Sequence, residues 1–308
     1  MLSLLKTFAH TLLGYFVLLC TVVFIHFPTA EDDRKDTSDD LLRTTFYETV
    51  YTAPKTPVNG KNHSAYVEFD QAVGVPVKDE IAQFVRDHGL EKGKILEVGA
   101  GSGTLQDIVE DYTGLDLSRA ASRFYHKPFV AASATKMPFE ANTFDGLWSV
   151  WTLEHVPNPE LAMLEMRRVV KDGGYIFFFP AWNVSPYAAQ GYRVRPYAAL
   201  DFNGKFIKAS SVVHDSTIYQ TAEHFGIRAV RKLQASVGGP TKLHFNRREA
   251  NYEIYWEADS DAVVSLDPYE AYLWFTSRGD ECVSCARPFT LGNGGGIVIR
   301  VHKRTVAS

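Results

Sequence analysis

The chain has 308 residues, 45% hydrophobic and 22% charged, enough to bury one sizeable core arranged as one large domain or two small ones. Its formal net charge of -4, with no long Lys/Arg block, argues against a nucleic-acid partner. Three cysteines, Cys20, Cys282 and Cys285, are too few for a disulfide framework, and Cys282-Val-Ser-Cys285 is a lone CxxC that reads as a loop pair rather than a zinc site.

From Thr7 to Ala30 there is no Asp, Glu, Lys or Arg, and the centre reads "LLGYFVLLCTVVFI". As a helix rising about 1.5 Å per residue, this run spans roughly 36 Å, enough to cross a hydrocarbon core. Residues 1–30 therefore read as a retained membrane anchor. A cleaved signal peptide fits less well, because the run exceeds a usual h-region and Pro28 stands where a small residue is preferred. Arg34, Lys35 and Arg43 follow the span and only Lys6 precedes it, so the positive-inside count puts the body of this single-pass membrane protein in the cytoplasm. Residues 31–76, rich in charge, Thr and Pro, read as a tether and N-terminal extension.

The folded body occupies 77–308. "VKDEIAQFVRDHGL" carries Ile81, Phe84 and Val85 at helical spacing before Gly89. "KILEVGA" is a buried strand, "TLQDIVEDY" is short and helix-like, and "YTGLDLS" is a second strand ending at Asp116. "FVAASA" and "FDGLWSVWTL" supply the third and fourth strands. "PELAMLEMRRVVKDGG" is a helix with Leu161, Leu164, Met166, Val169 and Val170 on its apolar side and Gly173-Gly174 as its stop; "YIFFFP" follows as the fifth strand. Later, "STIYQTAEHFG" reads as a helix, "IRAVRKLQASV" as a sixth strand and "GGGIVIRVHK" as the last, with insertions at about 181–213 and 238–293. Strands alternating with helices, several of them continuous apolar runs, predict an α/β fold: a Rossmann-like, doubly wound, mainly parallel seven-stranded sheet behind an N-terminal transmembrane helix.

Open α/β sheets bind ligands outside the carboxyl ends of their strands, where strand order switches. Gly99-Ala-Gly101-Ser-Gly103 leaves the first strand there, and glycine lets ligand atoms lie against backbone. The pattern is GxGxG rather than the dinucleotide GxGxxG, which weakens the case for a nicotinamide-dependent oxidoreductase. Asp116, at the end of the second strand, is placed to accept ribose hydroxyl protons, although dinucleotide enzymes also carry an acid there. Glu97, inside the first strand, is expected to face the glycine turn, since an unpaired buried carboxylate is costly.

"ILEVGAGSG", "YTGLDLS", "ATKMPFEANTFDGLWSVWTLEHVPNP" and "EMRRVVKDGGYIFFFP", in this order and spacing, resemble the class I S-adenosylmethionine-dependent methyltransferases, in particular the type 11 methyltransferase group. The resemblance covers about Gly93 to Pro180. It implies S-adenosyl-L-methionine as cofactor, with Glu97, Gly99, Gly101 and Gly103 around the methionine part, Asp116 on the ribose and Leu117 on the adenine. Ser133 stands where the family often has Asp, so Ser133 and the Ala134 backbone are left to meet the adenine amino group. Trp148 to Trp151 fall beside the sulfonium, where aromatic faces favour a cation; strand alternation leaves one of the two tryptophans for the sheet core.

His155 is the candidate base for a hydroxyl acceptor, with packing of the next loop as its alternative role. Relatives with Glu-x-x-Glu-His hold a metal, but Trp151 replaces the first Glu, so no metal is expected. Tyr187, Tyr192, Arg193 and Arg195, in an insertion that looks like an active-site cover, are candidate acceptor contacts, with a solvated loop as the favoured alternative. The expected activity is methyl transfer to a small-molecule, lipid-linked or glycan acceptor. A tethered binding or scaffold protein that retains the fold is the alternative.

Overall fold

Apolar runs that begin or end at glycine or proline turns form one seven-stranded sheet in the computed structural model, which describes residues 2–32, 40–52, 77–237, 239–254, 256–292 and 295–303. Its strands are β1 (Ile95–Val98), β2 (Tyr112–Asp116), β3 (Phe129–Ala131), β4 (Phe144–Val150) and β5 (Val170–Phe179), together with β8 (Glu281–Cys282) and β9 (Ile297–Arg300). A separate antiparallel pair joins β6 (Asn246–Arg247) and β7 (Val264–Ser265). The large sheet runs β3-β2-β1-β4-β5-β9-β8, with β3 to β5 parallel and β9 antiparallel between β5 and β8. Strand order reverses between β1 and β4, so the carboxyl ends of β1, β2 and β4 border a crevice.

Side chains alternate across each strand, so the sheet buries both faces. Leu96, Val98, Leu147, Ile176 and Phe178 meet α4 (Pro159–Val169) and α7 (Pro268–Thr276) on one face. Ile95, Tyr112, Trp148 and Phe177 meet the helix α3 (77–87) through Val77, Ile81, Phe84 and Val85 on the other. Each fully buried aliphatic or aromatic side chain contributes about 1.5–3 kcal/mol.

Several expectations change. Residues 104–111 form turns, not a helix: the stretch is only eight residues long, and the Gln106 side chain ties it down by donating to Gly103 O and Phe124 O while accepting from His126 N–H. Helix α4 ends at Val169, before the glycines, because β5 begins at Val170 and carries Gly173 and Gly174 within it. Its buried face is Ala162, Met163, Met166 and Val169, whereas Leu164 is exposed.

The expected sixth strand is the second half of helix α6 (Thr217–Ala235). Its Ala, Leu, Gln, Lys and Arg are good helix formers, and Arg228 and Arg231 turn inward to pair with Asp267 at 2.9 Å and Glu270 at 2.6 Å. Helix α5 (Phe202–His214) precedes it. Cys282 and Cys285 are joined in a disulfide beside β8.

Part of the expected tether folds. Helix α2 (Asp40–Thr52) packs Phe46, Tyr47, Val50 and Tyr51 around Ala121 of the 3₁₀ turn Arg119–Phe124. Residues 33–39 and 53–76 of that segment lie outside the described residues. Helix α1 (Leu2–His26) includes Lys6–His26, long and apolar enough to cross a membrane. Its C-terminal turns cross α6, with His26 Nε2 2.7 Å from the Tyr219 hydroxyl and Val23 against Gly226.

Candidate functional site

The glycine turn after β1 is shaped first by the chain itself. Gly99, Gly101 and Gly103 all have positive φ, at 73°, 48° and 74°. A Cβ on Gly99 would fall 2.0 Å from Thr152 Oγ1, and one on Gly103 would fall 2.8 Å from Gln106 Nε2. The Gly101 N–H donates to Asp116 Oδ2 at 2.9 Å, and the Ser118 N–H donates to Asp116 Oδ1 at 2.9 Å. Asp116 thus locks the turn after β1 to the turn after β2. A carboxylate has about four lone-pair sites, so both oxygens can still accept from a ligand.

One cavity opens over these strand ends. Gly99, Gly101, Asp116, Leu117, Ser133, Ala134 and His155 of the expected set line it, together with Trp151. Ser133 Oγ lies 2.8 Å from Thr135 Oγ1 and faces the same space. Three expected residues do not line it. Trp148 is fully buried in the α3 face of the sheet, as strand parity demands, and Trp151 takes the cavity position instead. Glu97 is buried on the same face as Trp148 and accepts a hydrogen bond from the Tyr112 hydroxyl, so its burial is compensated inside the sheet. Gly103 is enclosed by Gln106 and Tyr125.

Trp151 has φ 47°, a left-handed conformation that a bulky residue adopts only when its surroundings enforce it. Its N–H donates to Phe179 O at 2.7 Å and its ring packs against Phe179, which fixes the indole at the cavity edge. Arg43, Tyr47 and Tyr51 of α2 close the cavity from the side of the N-terminal extension. They were missed within a segment read as tether, although Phe46, Tyr47, Val50 and Tyr51 recur at helical spacing and were a legible signal.

His155 lines the cavity within a cluster of carboxylates. Its Nδ1 is 3.3 Å from Asp261 Oδ2 and its Nε2 is 3.8 Å from Glu154 Oε1. The Tyr47 hydroxyl donates to Asp261 Oδ2 at 2.7 Å. The Val263 N–H donates to Glu154 O at 2.8 Å, which ties the segment carrying Asp261 to the loop after β4. Burial works against protonation of His155, but Asp261, Glu154 and Asp259 together outweigh it and raise its pKa above the ordinary imidazole value. Burial, reinforced by Asp259, raises the pKa of Glu154 toward its neutral form. Glu154, His155 and Asp259 bring potential ligand atoms within 4.8 Å of one another. The cluster places a buried imidazole among carboxylates at the cavity, an arrangement that can take up or release a proton.

Tyr187, Tyr192 and Arg193 do not reach this cavity. They line a second one beside α5 and α6, while the Arg195 guanidinium lies 4.7 Å over the Trp256 ring.

The donor set therefore combines bare glycine backbone, one carboxylate at the end of β2, small or apolar walls at Leu117 and Ala134, and an aromatic edge at Trp151. Because no helix begins after the glycine turn, the helix N-terminus that holds a dinucleotide pyrophosphate is missing. An adenosyl sulfonium fits these residues.

Residues 96–178 match the family model described as "Methyltransferase domain". The chain carries a methyltransferase domain of this group. The domain is similar to the ubiquinone biosynthesis O-methyltransferase of Nitrosomonas europaea, at 31% identity over 151 residues, 41% of this chain and 62% of that protein. It is also similar to the sterol 4-C-methyltransferase strm-1 of Caenorhabditis elegans, at 28% identity over 30% of this chain and 32% of that one. A solved SAM-dependent methyltransferase from Aquifex aeolicus overlaps 33% of this chain and 64% of its own at 17% identity and TM-score 0.30. The chain covers less than two thirds of the length of the two curated relatives. The methyltransferase domain match ends at Phe178, before α5, α6 and the segment that supplies Asp259 and Asp261.

Proposed function

We propose that the chain is an S-adenosylmethionine-dependent methyltransferase that deprotonates and methylates a small-molecule acceptor at a membrane to which α1 anchors it. The observation that carries this reading is the convergence of Gly99, Asp116, Ser133, Trp151 and His155 from four strand ends on one cavity within a methyltransferase domain.

When bound, the cofactor supplies a methyl group on a sulfonium for in-line displacement. In the proposal Asp116 accepts from the ribose hydroxyls, Leu117 packs on the adenine, and Ser133 with the Ala134 backbone meets its amino edge. Gly99 and Gly101 let the methionine part lie against backbone, and Trp151 offers an aromatic face to the positive sulfur. Tyr47 and Tyr51 exclude water, so that alignment of donor and acceptor does most of the catalytic work. His155 takes the acceptor proton at a ring nitrogen, and Asp261, held by Tyr47, stabilises the resulting imidazolium.

A proton acceptor at this place favours a hydroxyl or a similarly protonated nucleophile. An anchor of the length of α1 favours an acceptor that is lipid-linked or made at the membrane. The test is mass spectrometry of membrane and soluble extracts incubated with S-adenosylmethionine and either the protein or its His155→Ala variant. The proposal expects a species heavier by one CH2 with the wild type that is strongly reduced with the variant. An acceptor methylated equally by both removes His155 from the reaction, and no methylated species in either fraction contradicts the activity.

A further inference from the structure

Helices α5 and α6 display apolar side chains that stand largely exposed among the described residues, although the Phe225 ring also meets Phe289 edge-on. On α6, Ile218, Phe225 and Leu233 are 85%, 59% and 70% exposed, and Ala222 and Ala229 fall between them on the same side. The spacing 218, 222, 225, 229, 233 is that of one helix face. On α5, Phe202, Phe206 and Val213 are also exposed. The inward side of α6 is already committed, because Arg228 and Arg231 pair with α7. A soluble monomer rarely exposes so continuous an apolar surface without a partner.

Helix α1 says what the partner is. Its last two turns cross α6, with Val23 on Gly226 and His26 on Tyr219, while Phe16, Val17 and Leu18 further up the same helix stand exposed. If Lys6–His26 crosses a bilayer, α6 must lie at the level where that helix leaves it. At that level the structure turns polar: a cavity of about 400 Å³ between the foot of α1, α5 and α6 is lined by His26, Tyr187, Lys208, His214 and Arg248. Leaving aside Arg228 and Arg231, which are neutralised on the inward side, the stretch from Arg193 to Ala235 holds five Lys/Arg against three Asp/Glu, in a chain that is negative as a whole. An apolar stripe flanked by excess positive charge is the pattern of a helix lying in the interface of an anionic leaflet.

We propose that α5 and α6 form a second membrane contact: the pair lies in the plane of the interface beside α1, with Phe206, Ile218, Phe225 and Leu233 in the acyl region. The enzyme then rests on the bilayer instead of hanging from its anchor, and the acceptor is a molecule held at the lipid surface. This inference rests on the reading of α1 as a membrane span, and its test keeps the two apart.

The full chain, on a Cys20→Ser background with the Cys282–Cys285 disulfide intact, is labelled with one environment-sensitive fluorophore at a time. The positions are Phe16→Cys on α1, Phe206→Cys on α5, Ile218→Cys, Phe225→Cys and Leu233→Cys on α6, and Lys92→Cys as an exposed control ahead of β1. The protein is reconstituted into vesicles of phosphatidylcholine and phosphatidylserine carrying bromine on their acyl chains. The proposal expects loss of fluorescence at the α5 and α6 positions as well as at Phe16, with Lys92 unchanged. Quenching at Phe16 alone overturns the second contact and leaves the anchor standing. Quenching on α5 and α6 without Phe16 supports the contact and overturns the span. If α5 and α6 are unquenched and the Ile218→Cys chains cross-link to one another, the face joins two copies and the proposal fails.

Discussion

Replacing Asp116 by asparagine tests whether the carboxylate at the end of β2 binds a ligand or only locks two turns. In the structure Oδ2 accepts from the Gly101 N–H and Oδ1 from the Ser118 N–H, each at 2.9 Å. Asparagine keeps one acceptor oxygen and turns its amide N–H2 toward the other donor. One hydrogen bond to a charged group is then lost, about 1.5–3 kcal/mol, and the melting temperature should fall accordingly. If the same oxygens also accept the two ribose hydroxyls, neutralising the charge weakens the ligand by a further roughly 1.5–3 kcal/mol, or about 10- to 100-fold in Kd. The assay is calorimetric titration of S-adenosylhomocysteine into full-length wild type and Asp116→Asn in detergent, beside thermal melts of both. A variant with a lowered melting temperature and an unchanged Kd would refute the ligand role and leave Asp116 as a turn lock.

Three further outcomes follow from the geometry. Gly99→Ala places a Cβ 2.0 Å from Thr152 Oγ1 at φ 73°, so it should destabilise the fold by more than about 2 kcal/mol in a denaturant melt; a neutral result contradicts the packing at the turn. The carboxylates around His155 hold its pKa above the ordinary 6.5, so the neutral base forms only as pH rises through that raised value. The acid limb of kcat/KM should therefore lie above 6.5 and move down in Asp261→Asn, and a limb that does not move removes Asp261 from the proton path. Arg231→Met strands the Glu270 carboxylate, buried and 2.6 Å from its partner, and should cost about 3–5 kcal/mol in an equilibrium melt.

The sheet was legible because buried parallel strands are written as continuous apolar runs, and "KILEVGA" and "YIFFFP" needed nothing else. Gly99, Gly101 and Asp116 were legible as residues just past strand ends at the strand-order switch, and Ser133 only through the family resemblance; all four line the cavity there. What escaped is what tertiary contact decides. The segment after the glycine turn has helical composition but no room for a helix, and Gln106 holds it in turns. "IRAVRKLQASV" looks like a strand only until Arg228 and Arg231 are seen paired inward from a helix face. The choice between Trp148 and Trp151 turns on where β4 ends, which periodicity leaves uncertain by a residue or two. Asp261 lies in a stretch without period and gains meaning only from His155 and Tyr47, which approach it from distant parts of the chain.

The most direct test of the central claim is competition at the cavity itself, by calorimetric titration of S-adenosylhomocysteine into the full-length wild type with and without saturating NADH. The account predicts one site per chain for S-adenosylhomocysteine, indifferent to the nicotinamide nucleotide. A folded protein that ignores S-adenosylhomocysteine, or one that binds NADH in its place, would contradict it.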